Sequence, residues 1–299
     1  MSLNLPRIAP FLFVLLWSTG FVGAKYGLPY AEPFTFLALR LVIATVLLLG
    51  LGLVVKESKK MRPEHYWHAA VVGFLLHGAY LSGVFYAIHM GMPAGMTAVI
   101  VGLQPILSTL MARYTLKEQG SLLQWIGLIL GFLGVVMVVS QKIHADVPPV
   151  AYLAAGIALI GTTAGTLYQK RFGAGMPLVT GTAVQYAATS LILIPLALLF
   201  ETHQIQFTTE FWFALLWLVV VLSLGAIGLL LYLIQRTSTA QVTSLFYLVP
   251  PATAVEAFFL FHEKLNGLAL LGMVVVALGV SLVIRPAPAR PVQKQLQTE

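Results

Sequence analysis

Residues 33 to 55, PFTFLALRLVIATVLLLGLGLVV, carry a single charge, Arg40, in a stretch long enough to cross a bilayer as a helix. About 20 consecutive apolar residues span the roughly 30 Å of hydrocarbon. Stretches of this kind fill nearly the whole chain: 8–27, 33–55, 66–90, 93–115, 121–141, 148–169, 177–200, 211–234, 239–261 and 265–284. The connections between them are short, so no soluble domain fits. Of 299 residues, 59% are hydrophobic and 9% charged, against roughly 25% charged in a soluble domain. The chain therefore reads as an all-α integral membrane protein with ten transmembrane helices. Strands of a membrane barrel would alternate over about ten residues instead of forming solid runs. The first run is too long for the apolar region of a signal peptide and leads directly into further spans, so it reads as a retained helix. With no cysteine, disulfides, thiolate metal sites and cysteine nucleophiles are excluded.

Lys and Arg at the ends of spans mark the cytoplasmic side. With ten spans, Arg7, Lys56, Lys59, Lys60, Arg62, Arg113, Lys117, Lys170, Arg171, Arg236, Arg285, Arg290 and Lys294 fall on one side, and Lys25, Lys142 and Lys264 on the other. Thirteen against three places both termini in the cytoplasm. The net charge of +7 is then a topology signal, because no basic domain exists to hold a nucleic acid.

A gapless shift of 145 residues lays LQPILSTLMARYTLKE, residues 103–118, on LVPPATAVEAFFLFHE, residues 248–263. Pro105 meets Pro250, Glu118 meets Glu263, Gly127 meets Gly272 and Gly134 meets Gly279. This register predicts an internal duplication, residues 1–145 and 146–299, with five helices in each half. An odd number of spans inverts the second half relative to the first, and the charge count independently sets Glu118 inside and Glu263 outside. Two inverted halves around one midplane site are the layout of secondary transporters.

The stretch WSTGFVGAKYGLPYAEPFTFLALRLVIATVLLL, residues 17–49, resembles the opening of an EamA-type repeat of the drug/metabolite transporter superfamily. The Pro, Glu, Gly, Gly pattern closing each half is similar to the end of that repeat. The resemblance covers essentially the whole chain and, within the superfamily, points to bacterial YddG-like exporters of aromatic and other amino acids. It implies a ten-helix, two-repeat transporter of the bacterial inner membrane that exports amino acids, drugs or other metabolites. Export rests on this resemblance alone.

Counting about 1.5 Å per residue from each span end leaves a few polar or aromatic side chains near the midplane. These are Trp17, His77, Tyr80, Gln104, Thr162, Thr163, Ser244 and Tyr247, with Ser18 beside Trp17. They are the candidate substrate-binding residues. His77 and Tyr80, three apart, are expected on one helix face. The alternatives are lipid or interhelical contacts for the rings and amides and bonds to the helix's own backbone for the hydroxyls. Pro105 and Pro250 each remove a backbone donor, which bends a helix or frees a carbonyl for a ligand; they are the candidate helix breaks and gates. Tyr26, Tyr30, Tyr66, Trp67 and Trp125, near span ends, are interfacial anchors. GxxxG spacings at Gly23, Gly127 and Gly161 permit close helix contact. Gly127, Gly134, Gly272 and Gly279 sit in spans almost without polar side chains, which assigns those spans to packing.

Arg40 and Glu256 are the intramembrane charges, at about the same depth from the outer face. An ion pair locking the second span to the ninth is the leading reading, because an isolated ion in hydrocarbon costs at least about 2.5 kcal/mol. A gate charge and a proton carrier remain open alternatives. Neither HExxH, GxSxG nor a Walker lysine occurs, aspartate occurs once, as Asp146, and the seven histidines lack ligand spacing. The expectation is a non-enzyme with no cofactor and no metal, whose partners are a small-molecule substrate and membrane lipids. The favoured substrates are aromatic or hydrophobic amino acids; drugs, sugars, nucleobase-type metabolites and a passive solute channel are the alternatives. The sequence leaves oligomeric state and energy coupling open.

Overall fold

The structure, a computed structural model, describes residues 5–54, 61–92, 94–140, 146–261 and 266–284. Glu263 and the basic residues Lys56, Lys59, Lys60, Lys142, Lys264, Arg285, Arg290 and Lys294 lie outside the described residues. Among those described, every regular element is helical: α1 Leu5–Gly27, α2 Pro33–Val54, α3 Pro63–His89, α4 Ala94–Val101, α5 Gln104–Thr115, α6 Leu122–Val139, α7 Pro149–Phe172, α8 Leu178–Phe200, α9 Thr209–Arg236, α10 Thr239–Ser244, α11 Val249–Phe261 and α12 Gly267–Ile284. Seven of them, α2, α3, α6, α7, α8, α9 and α12, are long and apolar enough to cross a bilayer. In hydrocarbon the backbone has no water to bond, so a helix that satisfies its own amides is the available solution.

The starts of the helices are written locally. Pro63 and Pro149 occupy the first helical turn, where a missing N–H costs nothing. Ser121 accepts the amide of Gln124 at 3.2 Å while Gln124 Oε1 accepts the amide of Ser121 at 2.9 Å, closing a reciprocal cap on α6. Asn266 Oδ1 accepts the amide of Ala269 at 2.7 Å and caps α12.

Two expected spans are interrupted. Residues 93–115 divide into α4 and α5 at Gly102 and Leu103, and residues 239–261 divide at a 3₁₀ turn, Leu245–Leu248. Two others widen internally: α3 holds a π turn at Phe74–Ala79 and α9 one at Leu218–Ala226. Such turns frequently mark functional places in a helix.

Long helices pair antiparallel. At α6 against α12, an added Cβ on Gly127 would meet the Gly279 carbonyl oxygen at 2.6 Å, and one on Gly134 the Gly272 oxygen at 2.8 Å, so the partner's order descends as α6 ascends. Glycine here allows backbone to touch backbone. At α2 against α8, Glu201, just past the end of α8, accepts the amides of Phe34 and Thr35 at the start of α2, both at 2.7 Å. Helix α3 packs on α7 and α8, and α1 lies against α9 and α11.

Candidate functional site

Where aromatic side chains replace glycine, the helices stand apart. Trp17 of α1 and Tyr80 of α3 stack, with ring centroids 6.5 Å apart and planes inclined 16°. Phe246, in the 3₁₀ turn, meets the Trp17 ring edge-on at 5.2 Å, a favoured aromatic geometry. A cavity opens on each side of the stacked pair. One is walled by Thr97, Val101, Phe246, Val249 and Pro250 in addition to the pair. The other has Arg40, Leu218, Leu222 and Ile227 among its walls. Trp17, Tyr80 and Val84 belong to both, so they form one cleft lined from both halves of the chain.

The prolines explain the shape of the first cavity. Pro105 opens α5 and Pro250 stands in the first turn of α11. Neither has an N–H for the carbonyl four residues earlier, and those carbonyls belong to Val101 and Phe246, both wall residues. Helix α4 ends and the 3₁₀ turn forms at these positions. The cleft thus adjoins two helix breaks, at the second of which the Phe246 carbonyl takes the amide of Val249 in place of its α-helical donor.

Behind the second cavity lies a polar layer. Arg40, 4% exposed, donates from Nε to Ser223 Oγ at 2.9 Å. Ser223 sits in the π turn of α9, and its carbonyl accepts the Tyr186 hydroxyl at 2.6 Å. The edge of His77 packs on Tyr186 with centroids 4.7 Å apart, and His77 Nε2 lies 3.2 Å from Gln185 Oε1. Gln185 Nε2 in turn donates to Gln169 Oε1 at 3.4 Å. These bonds tie α2, α3, α7, α8 and α9 together.

The expected ion pair is not made. Arg40 turns to α9, while Glu256 of α11 turns to α1, where its Oε1 accepts the Ser18 hydroxyl at 2.5 Å. Equal depth along two helices says nothing of the direction each side chain faces. Helix α2 packs on α8 and α9, and α11 on α1, so the two charges look into different seams.

Of the candidate binding residues, the structure brings Trp17, Tyr80 and Pro250 together on the cleft wall, with Arg40 at its edge. The others lie elsewhere. His77 contacts Gln185 and Tyr186 of α8, whereas Tyr80 stacks on Trp17 of α1. Gln104 donates to Thr166 Oγ1 at 3.3 Å, joining α5 to α7. Thr162 and Thr163 are buried in α7, with the Thr163 hydroxyl unbonded. Ser244 bonds the carbonyl of Gln241 in its own helix at 2.9 Å, a frequent habit of helical serine. Tyr247 packs with Leu128, Val276 and Val280 of α6 and α12. Thr97, Val84, Phe246 and Val249 escaped the sequence reading. For Phe246 a signal existed, since it stands four residues before Pro250.

Each end of the bundle has its own polar tie. At one mouth Glu118, beyond α5, accepts the amide of Thr239 at 2.9 Å and its hydroxyl at 3.1 Å, and pairs with Lys170 at 2.9 Å. Lys170 also donates to the Thr237 carbonyl. At the other mouth Glu32 Oε2 accepts the amide and the hydroxyl of Thr202 at 2.6 and 2.7 Å. The hydroxyl bond from Thr202 is the main cause holding the Glu32 carboxyl below its ordinary value.

Comparison with known proteins gives this architecture its kin. The EamA-like transporter family matches residues 8–140 and again residues 149–285. The chain is 27% identical to the uncharacterized transporter YvbV of Bacillus subtilis, covering 90% of this chain and 88% of that one. It is 24% identical to Protein PecM of Dickeya dadantii, over 93% and 94% of the two chains. It is also 24% identical to a probable amino-acid metabolite efflux pump of Escherichia coli, over 90% and 91%. A solved crystal structure with 20% identity superposes with a TM-score of 0.77 over 93% of this chain and 95% of its own. The chain belongs to the EamA-like transporter family, a membrane transporter built of apolar helices.

Proposed function

We propose that the protein is a secondary transporter that exports small amphipathic metabolites, with aromatic and hydrophobic amino acids favoured, across the bacterial inner membrane by alternating access. The observation that carries this reading is the cleft between the two halves: stacked rings offer an apolar surface beside two helix breaks. Substrate sites in transporters built of repeats form at such discontinuous helices. The relation to an amino-acid metabolite efflux pump supports the substrate class.

In this reading α4 with α5, and α10 with α11, are single interrupted crossings. The chain then crosses ten times in two inverted repeats, residues 1–145 and 146–299, with both termini cytoplasmic. The register of 145 residues supports it in detail. It carries Leu122–Val139 end for end onto Gly267–Ile284 and the cap Ser121 onto the cap Asn266. The π turn Phe74–Ala79 falls within Leu218–Ala226. Val101, where α4 ends, falls on Phe246 in the 3₁₀ turn. The family matches once in each half. The contacts of α6 with α12 are reciprocal, as a two-fold relation requires: Gly127 meets Gly279 and Gly134 meets Gly272.

The test is reconstitution into liposomes with labelled amino acids, sugars and nucleobases, with and without an imposed pH gradient. Saturable flux accelerated by substrate on the opposite side is expected, with amino acids preferred. Flux that rises linearly with concentration would instead identify a passive pore. The natural absence of cysteine also allows single cysteines at positions 118 and 263 to be labelled from either side. Accessibility of both from the same side would refute the inverted arrangement.

A further inference from the structure

We propose that Arg40 is the docking point for a carboxylate, so that the cleft takes small organic acids, amino acids among them, with the apolar body of the ligand against Trp17 and Tyr80. The proposal rests on the transporter reading and narrows it to one ligand chemistry.

Arg40 lies nineteen-twentieths buried in the wall of the second cavity, whose other walls are almost entirely apolar. Among the described residues its one hydrogen bond is from Nε to Ser223, and no carboxylate pairs with it. A guanidinium has five N–H donors, so both Nη groups remain uncommitted. Ionised side chains inside a membrane pair with one another or face a pathway. The nearest candidate on the sequence, Glu256, is held by Ser18 in another seam, which leaves the pathway.

The setting favours a planar anion. Ser223 has both functions engaged, its hydroxyl by Arg40 and its carbonyl by Tyr186. It therefore fixes the roll of the guanidinium plane without neutralising its charge. A carboxylate accepts two parallel N–H bonds from such a fork, a geometry a lysine ammonium does not reproduce. A cation held in an apolar wall, with no counter-ion among the described residues, favours ligands that bring a negative charge and, beyond it, an apolar surface. A neutral amide of the same shape offers no compensating charge and brings donors that the guanidinium cannot accept.

The experiment measures binding to the full-length protein in nanodiscs, using matched pairs that differ only at the acid: phenylalanine and phenylalaninamide, leucine and leucinamide, 3-phenylpropionate and its amide. Wild type is expected to bind the acids at least tenfold more tightly than the amides. Arg40→Gln should weaken the acids at least tenfold and the amides less than twofold, with Arg40→Lys between them. Ser223→Ala leaves the charge in place but frees its orientation, and should weaken the acids two- to fivefold; it serves as the second variant should Arg40→Gln fail to fold. Equal binding of acids and amides by wild type would overturn the proposal. So would an equal loss of both classes in Arg40→Gln, which would make Arg40 a helix anchor, or binding of neither member of any pair. Saturable flux of sugars or nucleobases without preference for acids would overturn the carboxylate site and leave the transporter standing; absence of saturable flux for every solute would remove both.

Discussion

Two seams join the halves of this molecule, and they are built oppositely. Between α6 and α12, Gly127, Gly134, Gly272 and Gly279 let backbones touch, leaving no room for even one added methyl group. Around Trp17, Tyr80 and Phe246, large rings hold helices apart and a cleft remains. Lipid-exposed helices gain nothing from the hydrophobic effect when they meet, so close packing supplies the adhesion. The glycine seam is therefore the strong joint, and the aromatic seam is the one with space for a passenger. On the transporter reading proposed above, bulky side chains where the pathway would run and glycines where the helices pack separate binding from stability along one chain.

That separation can be broken most violently at Gly279. An added Cβ there would lie 2.5 Å from the amide nitrogen of Gly131 and 2.7 Å from the Gly127 carbonyl, atoms that cannot yield. Gly279→Leu should cost more than the roughly 3 kcal/mol at the upper end of ordinary overpacking, seen as loss of monodisperse protein after solubilisation. Gly228→Ala, with nothing within 4 Å of the new methyl, should leave yield and melting temperature unchanged or slightly raised.

At the aromatic seam the first readout should be affinity. Trp17→Ala removes the ring shared by both cavities and should weaken substrate binding about tenfold, equivalent to about 1.4 kcal/mol. The concentration dependence of uptake measures this; a lowered melting temperature with unchanged affinity would make Trp17 a packing residue. Tyr247 tests the opposite seam. Its ring lies on Gly131 and its buried hydroxyl has no hydrogen-bond partner among the described residues, and an unsatisfied buried polar group costs about 1 kcal/mol or more. Tyr247→Phe should therefore raise thermal stability by about 1 kcal/mol and leave the uptake curve in place.

The smallest expected effect lies outside both seams, at Glu32. Its folded-state pKa is depressed, chiefly by the Thr202 hydroxyl bond. The contribution is present above the unfolded carboxyl's titration near 4.5 and is lost as pH falls through the lower folded value. An exposed bond of this kind contributes no more than about 1 kcal/mol. Melting temperatures of wild type and Thr202→Ala should differ slightly at pH 6 and draw together as pH falls below 4.5, while uptake affinity at pH 6 stays the same.

The sequence disclosed where helices begin and end far better than which way they face. Runs of apolar residues set boundaries within three residues of those observed for the continuous helices. Facing was hidden because a helix that meets lipid on one side and apolar neighbours on the other carries no polar stripe. Arg40 and Glu256 were accordingly matched by depth and turned out to face different neighbours. The prolines were legible as interruptions, and the residues four before them, Val101 and Phe246, could have been read as wall residues by the same reasoning. Ser223 could not, since its role depends on a tertiary bond to Arg40.

Glu118 does two jobs with one carboxylate, capping α10 through the amide of Thr239 and neutralising Lys170. Added salt screens the ammonium but leaves the directed backbone bond untouched. Any widening of that mouth that separates α5 from α10 therefore frays the first turn of a helix, at about 1 kcal/mol for a lost cap. The resting strength of this end of the bundle is set by peptide geometry as well as by charge, so added salt should weaken the tie without abolishing it.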